Sequence, residues 1–354
     1  MKKYFVLFVG YCMFPFILLS QVDNSSSTKD TSSTLIVAEN QEAEVAYNNG
    51  TQFFSQNILS EALASFDEAI KLKPNFDKAY FNRGSVKTQL SDYKGAISDF
   101  NFAIEINPDM ANAYYGRAYV EYLQNDFKSA LNDFKMSVLR GYNDAKVFYY
   151  RGVSKFQLDD FKGAIDDLTI AISKKSDYAY AYNDRGSAKL RLKDYKGAIA
   201  DYNMAVKIDP QMAIAYNNLG SVKRKTKDYP AAIIDYSLAI KVKPDYYIAY
   251  NNRASVKYDM KDYEGALADY NNALFIKSDY EFVYNNIGTV KVKMKDYKGA
   301  VESFNKAIEI NPNYGVAYLN RGTAKEMMRD MKGAKEDWKK AAELGVEKAN
   351  SFLQ

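Results

Sequence analysis

The stretch AYNNRASVKYDMKDYEGALADYNNA, residues 249–273, carries the features that decide the fold. Large aromatic residues and small alanines alternate in it at intervals of three or four residues, which is the spacing of side chains on one face of an α-helix. Asp262 lies between two such segments, where an aspartate can accept hydrogen bonds from the free N–H groups of a helix's first turn. The stretch therefore predicts two helices joined by a short turn. The first helix contains the adjacent pair Asn251 and Asn252, although asparagine is a poor helix former.

This pattern returns every 34 residues from residue 43 to residue 348, without insertion or deletion. If the first residue of each repeat is called position 1, position 20 is always alanine, position 8 is glycine or alanine, and position 24 is large and apolar or aromatic. A single hairpin buries too little apolar surface to be stable, so the repeats must stack on their neighbours. The predicted repeats, numbered one to nine, are 43–76, 77–110, 111–144, 145–178, 179–212, 213–246, 247–280, 281–314 and 315–348.

Residues 43–348 resemble tetratricopeptide repeats. The resemblance rests on the small residue at position 8, the alanines at positions 20 and 27, the aromatic residue at position 24, and a proline at position 32 in five repeats. It implies an all-α fold, a right-handed α-solenoid in which the first helices line a concave surface. The chain departs from the family at position 4 (tyrosine or phenylalanine rather than tryptophan), at position 7 (mostly arginine rather than leucine) and at position 11 (mostly lysine rather than tyrosine).

Two rows of asparagine are expected on the concave side of the first helices. Position 5 is asparagine in repeats five to eight, and position 6 is asparagine in repeats six to nine. An asparagine side chain offers the same donor and acceptor groups as a peptide bond, so a row of them can hold an extended backbone. The pattern is similar to the asparagine ladder of other tetratricopeptide superhelices, which implies peptide capture; inheritance of the same asparagine by copied repeats, without binding, is the alternative. The predicted peptide-binding asparagines are Asn183, Asn217, Asn218, Asn251, Asn252, Asn285, Asn286 and Asn320.

Aromatic residues interrupt these rows in repeats three and four. Tyrosine is enriched at interaction hot spots, so the cluster predicts an anchor site for a partner's side chain. Packing around a local irregularity near Gly141 is the alternative. The predicted anchor residues are Tyr115, Tyr119, Tyr149 and Tyr150.

Charged residues at positions 7 and 23 occur together in six repeats, as in Arg253 and Asp269. The two positions face each other in an antiparallel hairpin, so we expect an ion pair that fixes the register of the two helices. Repeat six breaks the rule with Leu219 opposite Asp235. Lysine at position 11 is expected to lie on a solvated face or to cover the hairpin with its aliphatic stem.

The N-terminal segment has the layout of a secretory signal peptide. Residues 1–20 join a Lys-Lys start to an apolar run, and the Ser/Thr-rich residues 21–42 follow as a predicted flexible linker. We therefore expect export to the periplasm or secretion, with an uncleaved membrane anchor as the alternative. At the other end, residues 346–354 are expected to form a short capping helix.

Composition excludes several function classes. The chain has no histidine, one cysteine within the leader and a net charge of +4, which argue against a catalytic triad, a metal centre and a nucleic-acid partner. We expect no enzyme activity, cofactor or small-molecule substrate, and a membrane partner only if the leader is retained. The sequence favours a protein-interaction scaffold that binds an extended peptide or protein segment in its groove. The alternative is a structural spacer or assembly factor of a cell-envelope complex that uses its convex face or ends.

Overall fold

The computed structural model describes residues 31–353, with side chains from residue 41 onward. The regular structure of this part of the chain is entirely helical, so the predicted all-α fold is confirmed. Helices α2 to α18 are each 13 or 14 residues long. The helices are α1 (Thr31–Ser55), α2 (Leu59–Leu72), α3 (Asp77–Gln89), α4 (Tyr93–Ile106), α5 (Ala111–Leu123), α6 (Phe127–Leu139), α7 (Ala145–Gln157), α8 (Phe161–Lys174), α9 (Ala179–Arg191), α10 (Tyr195–Ile208), α11 (Ala213–Lys225), α12 (Tyr229–Val242), α13 (Tyr247–Asp259), α14 (Tyr263–Ile276), α15 (Glu281–Lys293), α16 (Tyr297–Ile310), α17 (Gly315–Met327), α18 (Met331–Glu343) and a final 3-10 helix (Glu347–Phe352).

The described chain forms two compact units, which divide after Leu192. In the N-terminal unit the hairpins are α1–α2, α3–α4, α5–α6 and α7–α8, and α9 packs against α8. In the C-terminal unit α10 packs against α11, and the hairpins α11–α12, α13–α14, α15–α16 and α17–α18 follow. Within each unit the second helix of a hairpin packs against the first helix of the next, which is the tandem stacking predicted from the period.

The turn inside each hairpin has one repeated geometry. The residue at position 15 has a positive φ, between 59° and 67°, in every repeat, which reverses the chain between the two helices. In repeats two to nine the aspartate at position 16 then caps the second helix, as predicted; the Asp262 carboxylate accepts a 2.9 Å hydrogen bond from the N–H of Gly265. The residues with positive φ are Asn57, Ser91, Asn125, Asp159, Lys193, Lys227, Lys261, Lys295 and Arg329.

Each hairpin packs one large residue into the space left by small ones. A Cβ added to Gly288 would lie 2.5 Å from the ring of Phe304, so the ring at position 24 occupies the space that glycine leaves at position 8. The alanines at position 20 have no exposed surface in any repeat. Because neither side of this contact has room for another methyl group, the small-against-large pattern fixes how closely the two helices approach.

The two ends of the chain differ from the predictions in detail. Helix α1 begins at Thr31, so residues 31–42 of the predicted linker are helical; the predicted signal peptide and residues 21–30 lie outside the described residues. At the C-terminus a 3-10 helix rather than an α-helix covers the last hairpin, where Phe352 stacks on Trp338 at 5.0 Å between ring centroids. Across residues 31–353 no helix is both long enough and apolar enough to span a membrane.

Candidate peptide-binding surfaces on the first helices

Three pairs of asparagine amides join consecutive first helices of the C-terminal unit. Asn252 donates from Nδ2 to Oδ1 of Asn217 at 2.9 Å. Asn286 donates in the same way to Asn251 at 3.1 Å, and Asn320 donates to Asn285 at 2.9 Å. Each of these amide pairs connects position 6 of one repeat to position 5 of the repeat before it. The predicted asparagine rows therefore lie together as a hydrogen-bonded strip along α11, α13, α15 and α17.

The predicted asparagines differ in exposure. Asn183, Asn217, Asn218 and Asn285 are buried, between 3% and 6% exposed, which leaves them little surface to offer a ligand. Asn251, Asn252, Asn286 and Asn320 are half-buried. Among the described residues, no side chain or backbone group donates a hydrogen bond to Oδ1 of Asn286 or of Asn320. Some donors and acceptors of the strip therefore hold consecutive repeats together, while the Oδ1 atoms of Asn286 and Asn320 can still accept a hydrogen bond from a ligand.

In the N-terminal unit, position 6 of one repeat also contacts position 5 of the repeat before it, but the residues are different. Asn82 donates to the hydroxyl of Tyr47 at 3.1 Å, and the hydroxyl of Tyr149 donates to Asp184 at 2.8 Å. Asn183 donates its amide to the other oxygen of Asp184 at 3.0 Å. At position 6 of repeat five, the carboxylate of Asp184 thus takes the place that asparagine holds in the C-terminal unit. Burial raises the pKa of Asp184 to about 6, although both hydrogen bonds act to lower it.

The predicted anchor tyrosines form one aromatic cluster across repeats three and four. The ring of Tyr115 stacks on that of Tyr142 with centroids 4.7 Å apart, and Tyr119 meets Tyr150 edge-on at 4.9 Å. Tyr115 is 1% exposed and belongs to the packed core. Tyr119, Tyr149 and Tyr150 are half-buried, so these three are the ones that can present a surface.

In the repeats with aspartate at position 23, a charged network inside the hairpin supports these surfaces. The predicted ion pair is present: Arg253 donates from Nε and Nη2 to the two oxygens of Asp269, at 2.8 and 2.7 Å. The same bidentate contact is made by Arg83, Arg117, Arg151 and Arg321.

Of the two expectations for the position-11 lysine, the solvated face was wrong, and the covering stem did not include the charge contact that the ammonium group makes. Lys257 lies 2.8 Å from the same Asp269 carboxylate, so that aspartate binds two cations. The signal was available, because six of the seven repeats with aspartate at position 23 also have lysine at position 11. A buried carboxylate needs compensating charge, which explains the association. The equivalent lysine contacts, all at 2.7 to 2.8 Å, involve Lys87, Lys155, Lys223 and Lys325.

Repeat six shows what the network loses without its arginine. Leu219 replaces the arginine, and Asp235 keeps only the ammonium group of Lys223, at 2.7 Å. Burial raises the pKa of Asp235 above its ordinary value despite that lysine. The arginine therefore contributes to keeping the buried carboxylate charged.

Comparisons with known proteins agree with this architecture. Profiles described as "Tetratricopeptide repeat" match residues 81–144, 213–246 and 282–314, and a profile described as "TPR repeat" matches residues 50–90 and 189–226. Together these matches cover more than half of the chain. A search of curated proteins finds no match.

Several solved structures are similar in fold. The Cut9–Hcn1 hetero-tetramer of the APC/C is 15% identical over 83% of this chain and 60% of that chain, with a TM-score of 0.56. YrrB, described as a TPR protein with an unusual peptide-binding site, is 22% identical over 52% of this chain and 95% of its own, with a TM-score of 0.48. Yeast Tom70 is 16% identical over 89% of this chain and 95% of its own, with a TM-score of 0.45. At these identities the likeness concerns the fold alone.

Proposed function

Because the chain belongs to the tetratricopeptide repeat family, we propose that it is a non-enzymatic scaffold that binds an extended segment of a partner protein. The segment lies on the first helices of the C-terminal unit, along the strip of amide pairs. The partner is a protein or peptide rather than a nucleic acid, since 48 basic residues are nearly balanced by 44 acidic ones. We further propose that residues 1–20 act as a leader that exports the protein to the periplasm or out of the cell, because a Lys-Lys start is followed there by an apolar run.

The observation that carries the proposal is the continuous amide strip. It runs over four consecutive first helices, and the residues at positions 5 and 6 bear no charge in repeats seven to nine. The neighbouring position 7 is arginine in repeats seven and nine and isoleucine in repeat eight. The Oδ1 atoms of Asn286 and Asn320 can accept from backbone N–H groups, and each amide retains a second N–H that can donate to a backbone C=O. Such contacts recognise a main chain without requiring a particular sequence.

The aromatic cluster of the N-terminal unit supports a second contact. Tyr119, Tyr149 and Tyr150 offer rigid, half-buried rings whose exposed parts can pack against an apolar side chain of the partner. Tyr115 takes part only through packing, because it is buried.

One observation favours the alternative function, a structural spacer or assembly factor in an envelope complex. The amide pairs hold consecutive helices together whether or not a ligand is present, so the asparagines have a structural purpose of their own. A spacer would then engage its neighbours through its convex face or ends.

The two functions are separated by peptide selection followed by substitution. Peptides are selected from a random library on the wild-type protein, and their Kd is measured for the triple variant Asn252→Ala, Asn286→Ala, Asn320→Ala. The proposal predicts a loss of roughly tenfold or more in affinity, about 1.4 kcal/mol, since several backbone contacts disappear.

Asn82→Ala is the matched control. It removes the hydrogen bond from Asn82 to Tyr47, which joins the same two positions in the N-terminal unit. It should therefore lower thermal stability slightly and leave the affinity for the peptide unchanged. Selected peptides that bind the triple variant as tightly as the wild type would refute groove binding. Failure to select any peptide would favour the spacer.

A further inference from the structure

Repeat three reverses the charge at one position of the hairpin network. Position 11 is lysine in seven repeats, but it is Glu121 in repeat three. The rest of the network is unchanged there: Arg117 donates from Nη2 to the Asp133 carboxylate at 2.9 Å, and Asp133 is 7% exposed. A carboxyl group therefore occupies the place from which five other repeats direct an ammonium group to the aspartate.

The surroundings of Glu121 do not compensate for a negative charge. Its Oε2 atom is buried and has no hydrogen-bond partner among the described residues. The charged groups that act on it are Arg117 on its own helix, Asp133 on α6 and Asp126, which caps α6. No charged group on the described neighbouring helices α3, α4 and α7 contributes to its raised pKa. Arg117 is thus the one cation acting on Glu121, against the negative charges of Asp133 and Asp126, and its Nη1 is already bound to the neutral Oδ1 of Asn101.

We propose that the α5–α6 hairpin is a pH-responsive element, closed when Glu121 is protonated and loosened when that proton is lost. When Glu121 is neutral, the positive charge of Arg117 and the negative charge of Asp133 compensate each other. An ionised Glu121 places a second, partly buried negative charge beside Asp133, which favours any conformation that exposes it to water.

The direction of the pH dependence follows from the same contacts. Burial raises the pKa of Glu121 to about 7, and Asp133 adds to the effect. An opened hairpin, with Glu121 near its ordinary pKa, releases the proton at lower pH than the closed hairpin does. The closed form is therefore stabilised at acidic pH, and this stabilisation is lost as the pH rises through about 7.

Loosening of this hairpin would reach the aromatic cluster. Tyr122 follows Glu121 on α5, and Tyr119 and Tyr122 contact Tyr150 on α7 at 4.9 and 5.1 Å between centroids. A pH-dependent change in partner binding at these rings depends on the proposed function. The change in the hairpin itself does not.

Amide hydrogen exchange of the full chain tests the proposal. Protection factors of the amides in α5 and α6, which correct for intrinsic exchange, are measured at about pH 5.5 and about pH 8. At each pH they are divided by the protection factors of α3 and α4. The α3–α4 hairpin is the internal reference, because Lys87 completes its network. In the wild type we expect this ratio to fall by roughly tenfold between the two pH values.

Two variants of Glu121 supply the controls. Glu121→Gln has nearly the same shape without the charge, and Glu121→Lys restores the arrangement of the other repeats; neither should show the fall. A wild-type ratio that does not change with pH, or an equal fall in the Gln variant, would overturn the proposal. If the Lys variant does not fold, the Gln variant still tests the proposal. An NMR titration of the Glu121 carboxyl group in the wild type is a further test, since a pKa near the ordinary value for glutamate would overturn the proposal.

Discussion

At the scale of single residues, position 6 of one repeat is hydrogen-bonded to position 5 of the repeat before it, and three different pairs of side chains make this contact. Tyrosine accepts from asparagine in Tyr47 and Asn82, tyrosine donates to aspartate in Tyr149 and Asp184, and asparagine pairs with asparagine in the C-terminal unit. Helical spacing predicted that these residues share one face of the first helices; that this face is the concave one that binds a ligand stays a prediction. It could not predict their partners, because each partner lies one repeat away and depends on how the hairpins stack.

The Asp184 contact gives a pH-dependent prediction. Burial raises the pKa of Asp184 to about 6, so the folded protein retains a proton that the unfolded chain releases, and stability falls as the pH rises from about 4 to about 6. Asp184→Asn should remove this slope and raise the free energy of unfolding at neutral pH by about 1–2 kcal/mol. Urea denaturation between pH 4 and pH 8 measures both effects. The amide can donate to the hydroxyl of Tyr149 as Asn82 donates to that of Tyr47, so the variant has a contact already present in this chain.

The reverse substitution is the control for Asp184. Asn82→Asp places an acid opposite Tyr47 and should introduce a slope of the same sign. If wild type and Asp184→Asn lose stability equally between pH 4 and pH 6, Asp184 is not the group responsible.

At the scale of the hairpin, local rules predicted most of the structure. The turn, the aspartate cap, the small-against-large packing and the Arg–Asp pair all lie within one repeat, so their geometry follows from the helical period. The lysine of the network was misassigned because a long side chain at the end of a helix is most often solvated. The burial of the aspartate, 2% exposed for Asp269, explains why a second cation approaches it, although repeats three and six form their hairpins with one cation each.

The Arg253–Asp269 pair should show strong coupling in a double-mutant cycle. Arg253→Leu leaves Asp269 buried with Lys257 alone, so it should destabilise the protein more in the wild type than in an Asp269→Leu background, by about 1–3 kcal/mol. The free energies of unfolding of the four proteins give the coupling. Repeat six, where Leu219 already leaves Asp235 with one lysine, shows that the hairpin tolerates the loss. Equal costs in the two backgrounds would mean that the pair contributes no net coupling.

At the scale of the whole molecule, stability is distributed among neighbours. Within each unit a hairpin packs mainly against the hairpins next to it in sequence, so the free energy of folding is approximately a sum of repeats and interfaces. The unbroken period predicted this arrangement. The roles of Glu121 and Asp184 could not be predicted in this way, because each departs from the pattern and its effect depends on local burial.

Removal of one complete repeat tests this additivity. Deletion of residues 247–280 joins repeat six to repeat eight in phase and sets Asn286 opposite Asn217, which conserves an amide pair. We expect a folded, helical protein whose free energy of unfolding is lower by a few kcal/mol and whose denaturant m-value falls by about a tenth, in proportion to chain length. Urea titration followed by circular dichroism measures both. Deletion of residues 247–262 is the control, because it removes α13 and its turn and leaves α14 without the first helix of its hairpin; it should lower the free energy of unfolding more than the in-phase deletion does, although it removes fewer residues. If both deletions destabilise the protein equally, contacts that are not tied to the period hold the molecule together, and the strip of amide pairs loses its structural basis.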